Sequence, residues 1–398
     1  METKDKKRKS AAVITGTRAE FGLLRPVIDC MINEGVPPKL LVTGSHLAGS
    51  LGYTVSEIES GNYKIAKKID ILRNNAATPM ATAFPRAFSG FWRYFSSHKT
   101  DIAVVLGDRY ETLAAALAAS MSDVPVAHIS GGDVTEGAKD DGFRHCITKL
   151  SLLHFPSTER YRERIIQLGE HPGRVYMVGS LGAENAAKLP AISRNELSGR
   201  VGFDFNQEFL LATYHPETLA DISPKDGIAI LLAALKEISI PVLFTKANAD
   251  DGGDAINRII SAFCDSSAEC KLVDSLGAAA YLSAMRYAKV VVGNSSSAIV
   301  ESPAFLTPAV NIGNRQKGRE MGENVLNCQT DSHMIADAVK KAISPEFRKE
   351  IKNMSNPYKG DNVSGKITAH ISSFLKSDIK DFRKPFYDLN FEKIGNSL

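Results

Sequence analysis

Short apolar, β-branched runs alternate with amphipathic segments along most of the chain. In the first half the predicted strands are AAVIT (11–15), LLVTG (40–44), IAVVLG (102–107), VPVAHI (124–129), LLHFPS (152–157) and VYMVGS (175–180). In the second half they are FLLATYH (209–215), IPVLFTK (240–246), CKLVDS (270–275), VVVGNS (290–295) and PAVNIGN (308–314). The segments between them, such as ETLAAALAASMS (111–122), have helical periodicity. This alternation predicts βαβ units and doubly wound parallel sheets.

Two such series predict two Rossmann-like domains of the α/β class, since 398 residues exceed one ordinary core. We expect a basic disordered tail over 1–10, a first domain over 11–185 that carries acid/base residues and a nucleotide-binding domain over 186–370. The remaining segment, 371–398, is predicted to pack back on the first domain.

Charge and cysteine content narrow the class of partner. The first ten residues, METKDKKRKS, carry a net charge of +3, which equals that of the whole chain, so no basic nucleic-acid surface is predicted elsewhere. No apolar run reaches 18 residues, and we therefore expect no membrane span. Five scattered cysteines without a C-x-x-C pair favour a reduced, cytoplasmic protein without a zinc site. No metal site is predicted.

The predicted strand-to-helix loops are polar, and ligands of open α/β sheets bind there. Neither G-x-x-x-x-G-K-[ST] nor G-x-G-x-x-G occurs, which argues against a P-loop enzyme and a dinucleotide dehydrogenase. In VVVGNSSSAIVESP (290–303), three serines at a predicted helix start exceed what capping needs and suit a phosphate. Glu301, about one turn further on, is placed to accept two ribose hydroxyls. A cap in a polar loop is the alternative.

Taken in order, the loops resemble the UDP-N-acetylglucosamine 2-epimerase family, and within it the hydrolysing branch. The matching stretches cover about 11–390: GTRAEFG (16–22), VTGSHL (42–47), LGDRYETLA (106–114), HISGGD with DDGFRH (128–145), GSLGAENA (179–186), YHPET (214–218), GNSSSAIVESP (293–303) and GNRQKGREMGENV (313–325). The non-hydrolysing branch usually has a D-S-G-G sequence where this chain has Asn294 to Ser297. The resemblance implies a glycosyltransferase-B-like fold, with the two domains facing across a cleft.

The resemblance further implies conversion of UDP-N-acetylglucosamine and water to N-acetylmannosamine and UDP through a glycal, a first step toward sialic acid, without a cofactor. The residues that it places at the nucleotide are Arg18, His215, Asn248, Ser295, Ser296, Glu301 and Arg315. A core histidine near a proline turn is the alternative for His215. The expected partner is a small nucleotide sugar, and the resemblance suggests a homodimer or homotetramer.

Breaking the C2–H bond requires acid/base groups on two sides of the sugar ring. Asp108 and Asp140 match catalytic residues of the family, and Asp133 is a shortened form of a further acid. Many relatives read H-I-E-G-G-E where Ser130 and Asp133 stand here, so the base for the C2 proton stays open. Helix capping is the alternative for Asp108, and a solvated loop for Asp140.

Four further residues are expected to contact substrate or phosphate. Arg109 and Arg144 would neutralise phosphate or hold the carboxylates. His46 and His145 are candidate proton carriers, with a structural hydrogen-bonding role as the alternative.

Three other functions stay open. The first is a hydrolysing 2-epimerase of a UDP- or GDP-linked 2,4-diacetamido-trideoxyhexose. The second is a glycosyltransferase of the same fold, and the third is a non-catalytic nucleotide-sugar binder.

Overall fold

The computed structural model describes residues 9–75, 78–217, 219, 222–247, 252–377 and 382–390. Within them the chain divides into two compact units. The first unit comprises residues 1–133, 142–181 and 360–398, and the second comprises 134–141 and 182–359. The sequence analysis places the boundaries at 185 and 370, and no local pattern in 134–141 indicates that this segment belongs with the second unit.

The first unit is a parallel sheet with helices between its strands. Its strands are β1 (Ala11–Thr15), β2 (Lys39–Thr43), β3 (Ile65–Ile69), β4 (Ile102–Leu106), β5 (Val126–Ile129) and β6 (Leu153–Phe155). Its helices are α1 (Arg18–Asn33), α2 (Val55–Ser60), α3 (Met80–Ser97), α4 (Tyr110–Ser120), α5 (Asp140–Leu150), whose first two residues belong to the second unit, and α6 (Glu159–Gln167). The strand order is β3-β2-β1-β4-β5-β6, so the direction of winding changes between β1 and β4.

The second unit repeats this architecture. It begins with α7 (Leu181–Lys188), whose first residue belongs to the first unit, and α8 (Arg194–Val201). The elements that follow are, in chain order, β7 (Leu210–Thr213), α9 (Pro224–Ile238), β8 (Val242–Thr245), α10 (Gly253–Asp265), β9 (Cys270–Val273), α11 (Gly277–Tyr287), β10 (Val290–Gly293), α12 (Ser297–Val300), β11 (Ala309–Ile312), β12 (Val325–Cys328), α13 (Ser332–Ile343) and α14 (Pro345–Glu350). All neighbouring strands are parallel in the order β12-β11-β10-β7-β8-β9, and the winding changes between β7 and β10. The predicted α/β class with two doubly wound sheets is confirmed.

The last helix, α15 (Val363–Lys376), belongs to the first unit. Its buried face, which includes Ile367 and Ile371, shares a core with Leu24 and Val27 of α1 and with the sheet. Further on, the Tyr387 amide donates to the Gly169 carbonyl at 2.9 Å. The described parts of 371–398 therefore pack on the first unit.

The strand predicted over 175–180 is wrong. Only Val175 forms a bridge, to His154, and the amides of Tyr176 and Val178 bond one side of the β6 chain. Pro156 has no amide to return a bond, so a ladder cannot continue there. Conversely, β3 and β12 were not predicted; both are edge strands with exposed residues in the middle.

None of the helices in the described ranges has the length and apolarity that crossing a bilayer requires.

Candidate active site

In the first unit, three loops converge at the point between β1 and β4 where the winding changes. They are the turn after β1 at Gly16, the turn after β2 at Gly44 and the loop 107–109 after β4. A Cβ on Gly44 would lie 2.7 Å from the Gly16 carbonyl oxygen, so these two backbones require glycine for their close approach. Ligands of open α/β sheets bind at such a point.

Two carboxylates, Glu20 and Glu111, lie against the Gly16 turn. A Cβ on Gly16 would be 2.9 Å from Glu111 Oε1 and 3.3 Å from Glu20 Oε2. The Gly16 amide donates to Glu20 at 2.7 Å, and Arg109 Nε donates to Glu111 Oε1 at 2.6 Å. Burial, followed by repulsion from Glu111, raises the pKa of Glu20 to about 7, although Arg109 opposes the shift. Glu20 therefore titrates near neutral pH.

Glu111 is buried, at 1% exposure, and its Oε2 has no hydrogen-bond partner among the described residues. A buried acceptor of this kind costs free energy unless it is protonated or meets a ligand or water. A carboxyl that titrates near neutral pH, Glu20, and a buried carboxylate oxygen of Glu111 thus lie at the turn where a ligand is expected.

Asp108 is held by a buried arginine. Arg144 of α5 forms an ion pair with Asp108, and its Nη1 donates to the Asp133 carbonyl oxygen at 3.1 Å. The Arg144 side chain is 1% exposed, whereas that of Asp108 is 26% exposed. The guanidinium therefore stabilises the charged form of a carboxylate that still reaches solvent.

A buried histidine fixes the loop that carries Asp108. His128 bonds the Gly107 carbonyl oxygen through Nε2 at 2.8 Å and Thr148 of α5 through Nδ1 at 3.2 Å. Burial lowers the pKa of His128 to about 3, so the ring is neutral. Two residues later, Ser130 has φ of 61°, in the left-handed region that non-glycine residues rarely adopt.

Two residues predicted to contact the substrate or the nucleotide, His46 and Arg18, bond other protein side chains in the structure. His46 is buried, and its two ring nitrogens bond Thr15 Oγ1 at 3.0 Å and Thr54 Oγ1 at 2.8 Å. Burial lowers the pKa of His46 to about 4, which favours the structural alternative. Arg18 forms an ion pair with Glu57 at 2.9 Å at the start of α1. His145 follows Arg144 on α5 and is half-buried.

The segment 134–141, which includes Asp140, packs against the loop after β11 within the second unit. Glu136 forms an ion pair with Lys317 at 2.7 Å, and a Cβ on Gly137 would lie 2.7 Å from the Asn314 carbonyl oxygen. Asp141 accepts the Thr135 amide at 2.6 Å and so closes the turn. Asp140 begins α5 and is half-buried.

In the second unit, the backbones of β7 and β10 approach closely where the winding changes. A Cβ on Gly293, where φ is 133°, would lie 1.9 Å from the Thr213 carbonyl oxygen. The next residue, Asn294, is fully buried and bonds the His215 backbone through its side chain at both the N–H (2.7 Å) and the carbonyl (2.9 Å).

The serines after Asn294 form a hydroxyl network that includes a tyrosine. Ser295 Oγ lies 3.0 Å from Ser297 Oγ, which lies 2.6 Å from the Tyr281 hydroxyl. Ser296 precedes α12 and makes no side-chain capping bond. Helix α12 is short and ends at Val300, one residue before Glu301, because Pro303 lacks the amide that an α-helix would need; the chain continues as a 3-10 turn.

Glu301 lies at the end of this short helix. Burial raises the pKa of Glu301 to about 7, with Arg319 opposing the shift, and its Oε2 has no hydrogen-bond partner among the described residues. A Cβ on Gly182 would lie 2.3 Å from Glu301 Oε1. Gly182 therefore leaves the space that this carboxylate occupies.

His215 and Arg315 meet beside Asn294. Arg315 Nη1 donates to the Asn294 carbonyl oxygen at 3.1 Å, and burial together with the Arg315 charge lowers the pKa of His215 well below its usual range. Glu217 accepts the Asn314 amide at 3.0 Å, so the YHPET turn supports the Arg315 loop. Asn248 lies outside the described residues.

The structure thus groups Asp108, Arg109 and Arg144 in the first unit, and His215, the serines and Arg315 in the second. Sequence reasoning missed Glu20, Glu111, Asn294, Glu217 and Tyr281. Glu20 and Glu111 offered one signal: each is an acid next to the arginine-containing loops GTR and GDR. Nothing local distinguishes Asn294, Glu217 or Tyr281.

The two parallel sheets and their sites define an α/β protein of the glycosyltransferase-B-like class. A solved structure of UDP-GlcNAc 2-epimerase from Neisseria meningitidis bound to UDP-GlcNAc has a TM-score of 0.76 and 19% identity, covering 92% of this chain and 99% of that one. At this identity the likeness establishes the fold.

The model of the UDP-N-acetylglucosamine 2-epimerase family matches residues 30–372, and the chain belongs to this family. It is 36% identical over 386 residues to polysialic acid biosynthesis protein P7 of Escherichia coli, covering 96% of this chain and 98% of the relative. It is 39% identical over 345 residues to GDP/UDP-N,N'-diacetylbacillosamine 2-epimerase (hydrolyzing) of Campylobacter jejuni, covering 86% and 89%.

Proposed function

We propose that this protein is a hydrolysing 2-epimerase that converts UDP-N-acetylglucosamine and water to N-acetylmannosamine and UDP. The observation that carries the proposal is the family match together with 36% identity, over nearly full length, to a protein of polysialic acid biosynthesis. The hydrolysing outcome is supported by the 39% identical relative whose name specifies hydrolysis.

In this reaction the anomeric C–O bond breaks first, and UDP leaves with the electron pair. The positive character at C1 acidifies the C2 proton, whose loss gives a glycal. Water then adds at C1, and a proton returns to C2 on the opposite face. Each proton transfer needs a group that titrates near working pH.

The first unit supplies groups suited to proton transfer. We assign acid/base roles to Asp108 and Asp133 of the first unit and to Asp140, which begins α5 within the second unit. Asp108 forms an ion pair with the buried Arg144. Glu20, whose pKa of about 7 allows both protonation states, supports this chemistry from the Gly16 turn. Ser130 has no carboxylate, so the C2 proton is left to these groups.

The second unit supplies groups suited to a nucleotide diphosphate. The hydroxyls of Ser295 and Ser296 and the guanidinium of Arg315 would contact phosphate oxygens, and Glu301 would accept the ribose hydroxyls. Neutral His215 beside Arg315 leaves the positive charge on the arginine.

Incubation with UDP-N-acetylglucosamine in heavy water, followed by proton and phosphorus NMR, tests the proposal. We expect free UDP and N-acetylmannosamine with deuterium at C2. Accumulation of UDP-linked N-acetylmannosamine would instead identify a non-hydrolysing epimerase. Sedimentation velocity would test the expected homodimer or homotetramer.

A second candidate substrate is UDP- or GDP-linked N,N'-diacetylbacillosamine, favoured by the name of the Campylobacter jejuni relative. The two substrates differ at C4 and C6 of the sugar. Turnover of each at equal concentration would decide between them, since kcat/KM ranks competing substrates.

A further inference from the structure

Asn294 is a fully buried polar residue directly after β10. It is 0% exposed, and its backbone N–H donates to the Thr213 carbonyl oxygen at 3.2 Å. The preceding Gly293 allows this approach, since any Cβ there would collide with Thr213. Regular strand pairing between β7 and β10 stops at this point.

The side chain of Asn294 continues the pairing beyond the backbone ladder. His215 N–H donates to Asn294 Oδ1 at 2.7 Å, and Asn294 Nδ2 donates to the His215 carbonyl oxygen at 2.9 Å. A primary amide matches this peptide because it offers one acceptor and one donor side by side. An ionised carboxylate can only accept hydrogen bonds. It would therefore have no hydrogen to donate to the His215 carbonyl oxygen.

The backbone of Asn294 bonds the loop after β11. Its carbonyl oxygen accepts from Arg315 Nη1 at 3.1 Å and from Gln316 Nε2 at 2.9 Å. Ser295, the first residue of the hydroxyl network, follows directly. One buried residue therefore joins the three segments to which nucleotide binding is assigned.

We propose that Asn294 is a positioning residue that fixes His215 and Arg315 relative to the serine turn for binding of a nucleoside diphosphate. The proposal deepens the proposed function and rests on it. Asn294 acts through its contacts with these residues. Its amide, rather than its size, is the required property.

Asn294→Asp provides a sharp test because a protonated carboxyl has the same acceptor–donor pattern as the amide. The titratable and charged groups that face the new side chain are His215 at the end of β7 and Arg315 after β11, with Glu217 behind the Arg315 loop. Arg315 favours the ionised form, whereas burial favours the protonated form.

The measurement is the Kd of UDP by isothermal titration calorimetry at pH 8 and pH 5.5, expressed as the ratio of variant to wild type. This ratio cancels pH effects that both proteins share, such as titration of Glu301. For Asn294→Asp we expect a Kd about tenfold to a hundredfold above wild type at pH 8 and a ratio at least threefold smaller at pH 5.5.

Asn324→Asp is the matched control. Asn324 is also fully buried in the second unit, and its Nδ2 donates to Ser302 Oγ and to the Thr307 carbonyl oxygen, both at 2.7 Å. The Asn324→Asp variant thus carries the same substitution at an equally buried position away from His215. We expect a similar loss of thermal stability and a UDP Kd within about twofold of wild type.

Three results would overturn the proposal: wild-type affinity of Asn294→Asp at pH 8, an equal loss at both pH values, or an equal loss in Asn324→Asp. Hydrogen exchange of residues 210–217 without ligand gives a second readout. We expect Asn294→Asp to lose protection there at pH 8, relative to both Asn324→Asp and wild type, and retained protection would also overturn the proposal. Failure of the wild type to bind UDP would contradict the proposed function, while exchange would still decide whether Asn294 fixes His215.

Discussion

The two units share a strand order but differ in the chemistry at the point where the winding changes. In the first unit this point is lined with charge: Glu20, Glu111 and Asp108 lie among two arginines. In the second it is lined with hydroxyls, an amide and a neutral histidine, with Glu301 nearby. One topology therefore determines where each site lies, while the loop residues determine what each site can do.

The charges of the first site are paired in ways that suit proton transfer. Arg144 forms an ion pair with Asp108, while burial and repulsion from Glu111 raise the pKa of Glu20 to about 7. A carboxylate paired with a buried arginine and a carboxyl with a raised pKa thus lie at one sheet edge, an arrangement that suits acid–base chemistry. The second site has mainly neutral donors, which suit an anion.

The largest expected difference between the two sites concerns Asp108. Asp108→Asn should lower kcat for UDP release about 10²- to 10⁴-fold, because an acid/base group is lost, and should leave the UDP Kd within about twofold. Steady-state kinetics and calorimetry measure the two effects. Asp101→Asn, at the opposite end of β4, is the control. A loss of UDP affinity equal to the loss of kcat would show that Asp108 acts in nucleotide binding rather than in proton transfer.

Gly182→Ala should produce the opposite pattern. The added Cβ would displace the Glu301 carboxylate, whose Oε1 lies 2.3 Å from it, and the UDP Kd should rise about tenfold or more. Gly199→Ala in α8, where a Cβ meets nothing within 4 Å, should leave the Kd unchanged. Equal UDP affinity in the two variants would show that Glu301 is not part of the nucleotide site.

Glu20→Gln should change how the free energy of unfolding depends on pH. Because the pKa of Glu20 rises from 4.5 to about 7 on folding, the folded wild type holds an extra proton between these values, and its stability falls as pH rises through that window. The variant lacks this term, so its free energy of unfolding relative to wild type should increase by on the order of 2 kcal/mol from pH 5 to pH 8. Urea unfolding at both pH values measures it.

Glu59→Gln, at an exposed ion pair with Lys68, should follow the wild-type pH profile. If the difference in the free energy of unfolding between Glu20→Gln and wild type does not change with pH, Glu20 does not have a raised pKa in the folded protein.

The smallest effect is expected for Tyr281→Phe. Loss of the hydroxyl that bonds Ser297 should loosen the serine network and raise the UDP Kd about threefold to tenfold. Tyr287→Phe is a matched control on the same helix, since its hydroxyl donates to the Ile192 carbonyl oxygen at 3.1 Å. Calorimetry on both variants separates the network from general effects on α11.

The central strands were predictable because their residues are buried on both faces, as in IAVVL of β4 and VVVG of β10. The edge strand IAKKI of β3 was not, since its Ala66, Lys67 and Lys68 are exposed and give no apolar run. The prediction for VYMVGS (175–180) is wrong for the opposite reason. This segment has the composition of a strand, but Pro156 limits its pairing with β6.

The site residues show the same limit. Asp108 matches a catalytic residue of the family and Arg144 is expected to neutralise phosphate or hold the carboxylates, but their ion pair joins positions 36 residues apart. The contacts of Asn294 with His215 span 79 residues, and the pair Glu20–Glu111 depends on how β1 and β4 lie side by side. Such contacts arise from tertiary structure, which local patterns do not encode.

The division of the chain has a consequence for synthesis on the ribosome. The core of the second unit is drawn from residues 210–354, a continuous stretch. The core of the first unit contains β1 near the start of the chain and Val363, Ile367, Ile371 and Leu375 of α15 near its end. Chains emerge from their amino terminus, and distant contacts form last. We therefore expect the second unit, most of which is translated later, to finish folding first. The first unit can complete its core only after α15 has been synthesised.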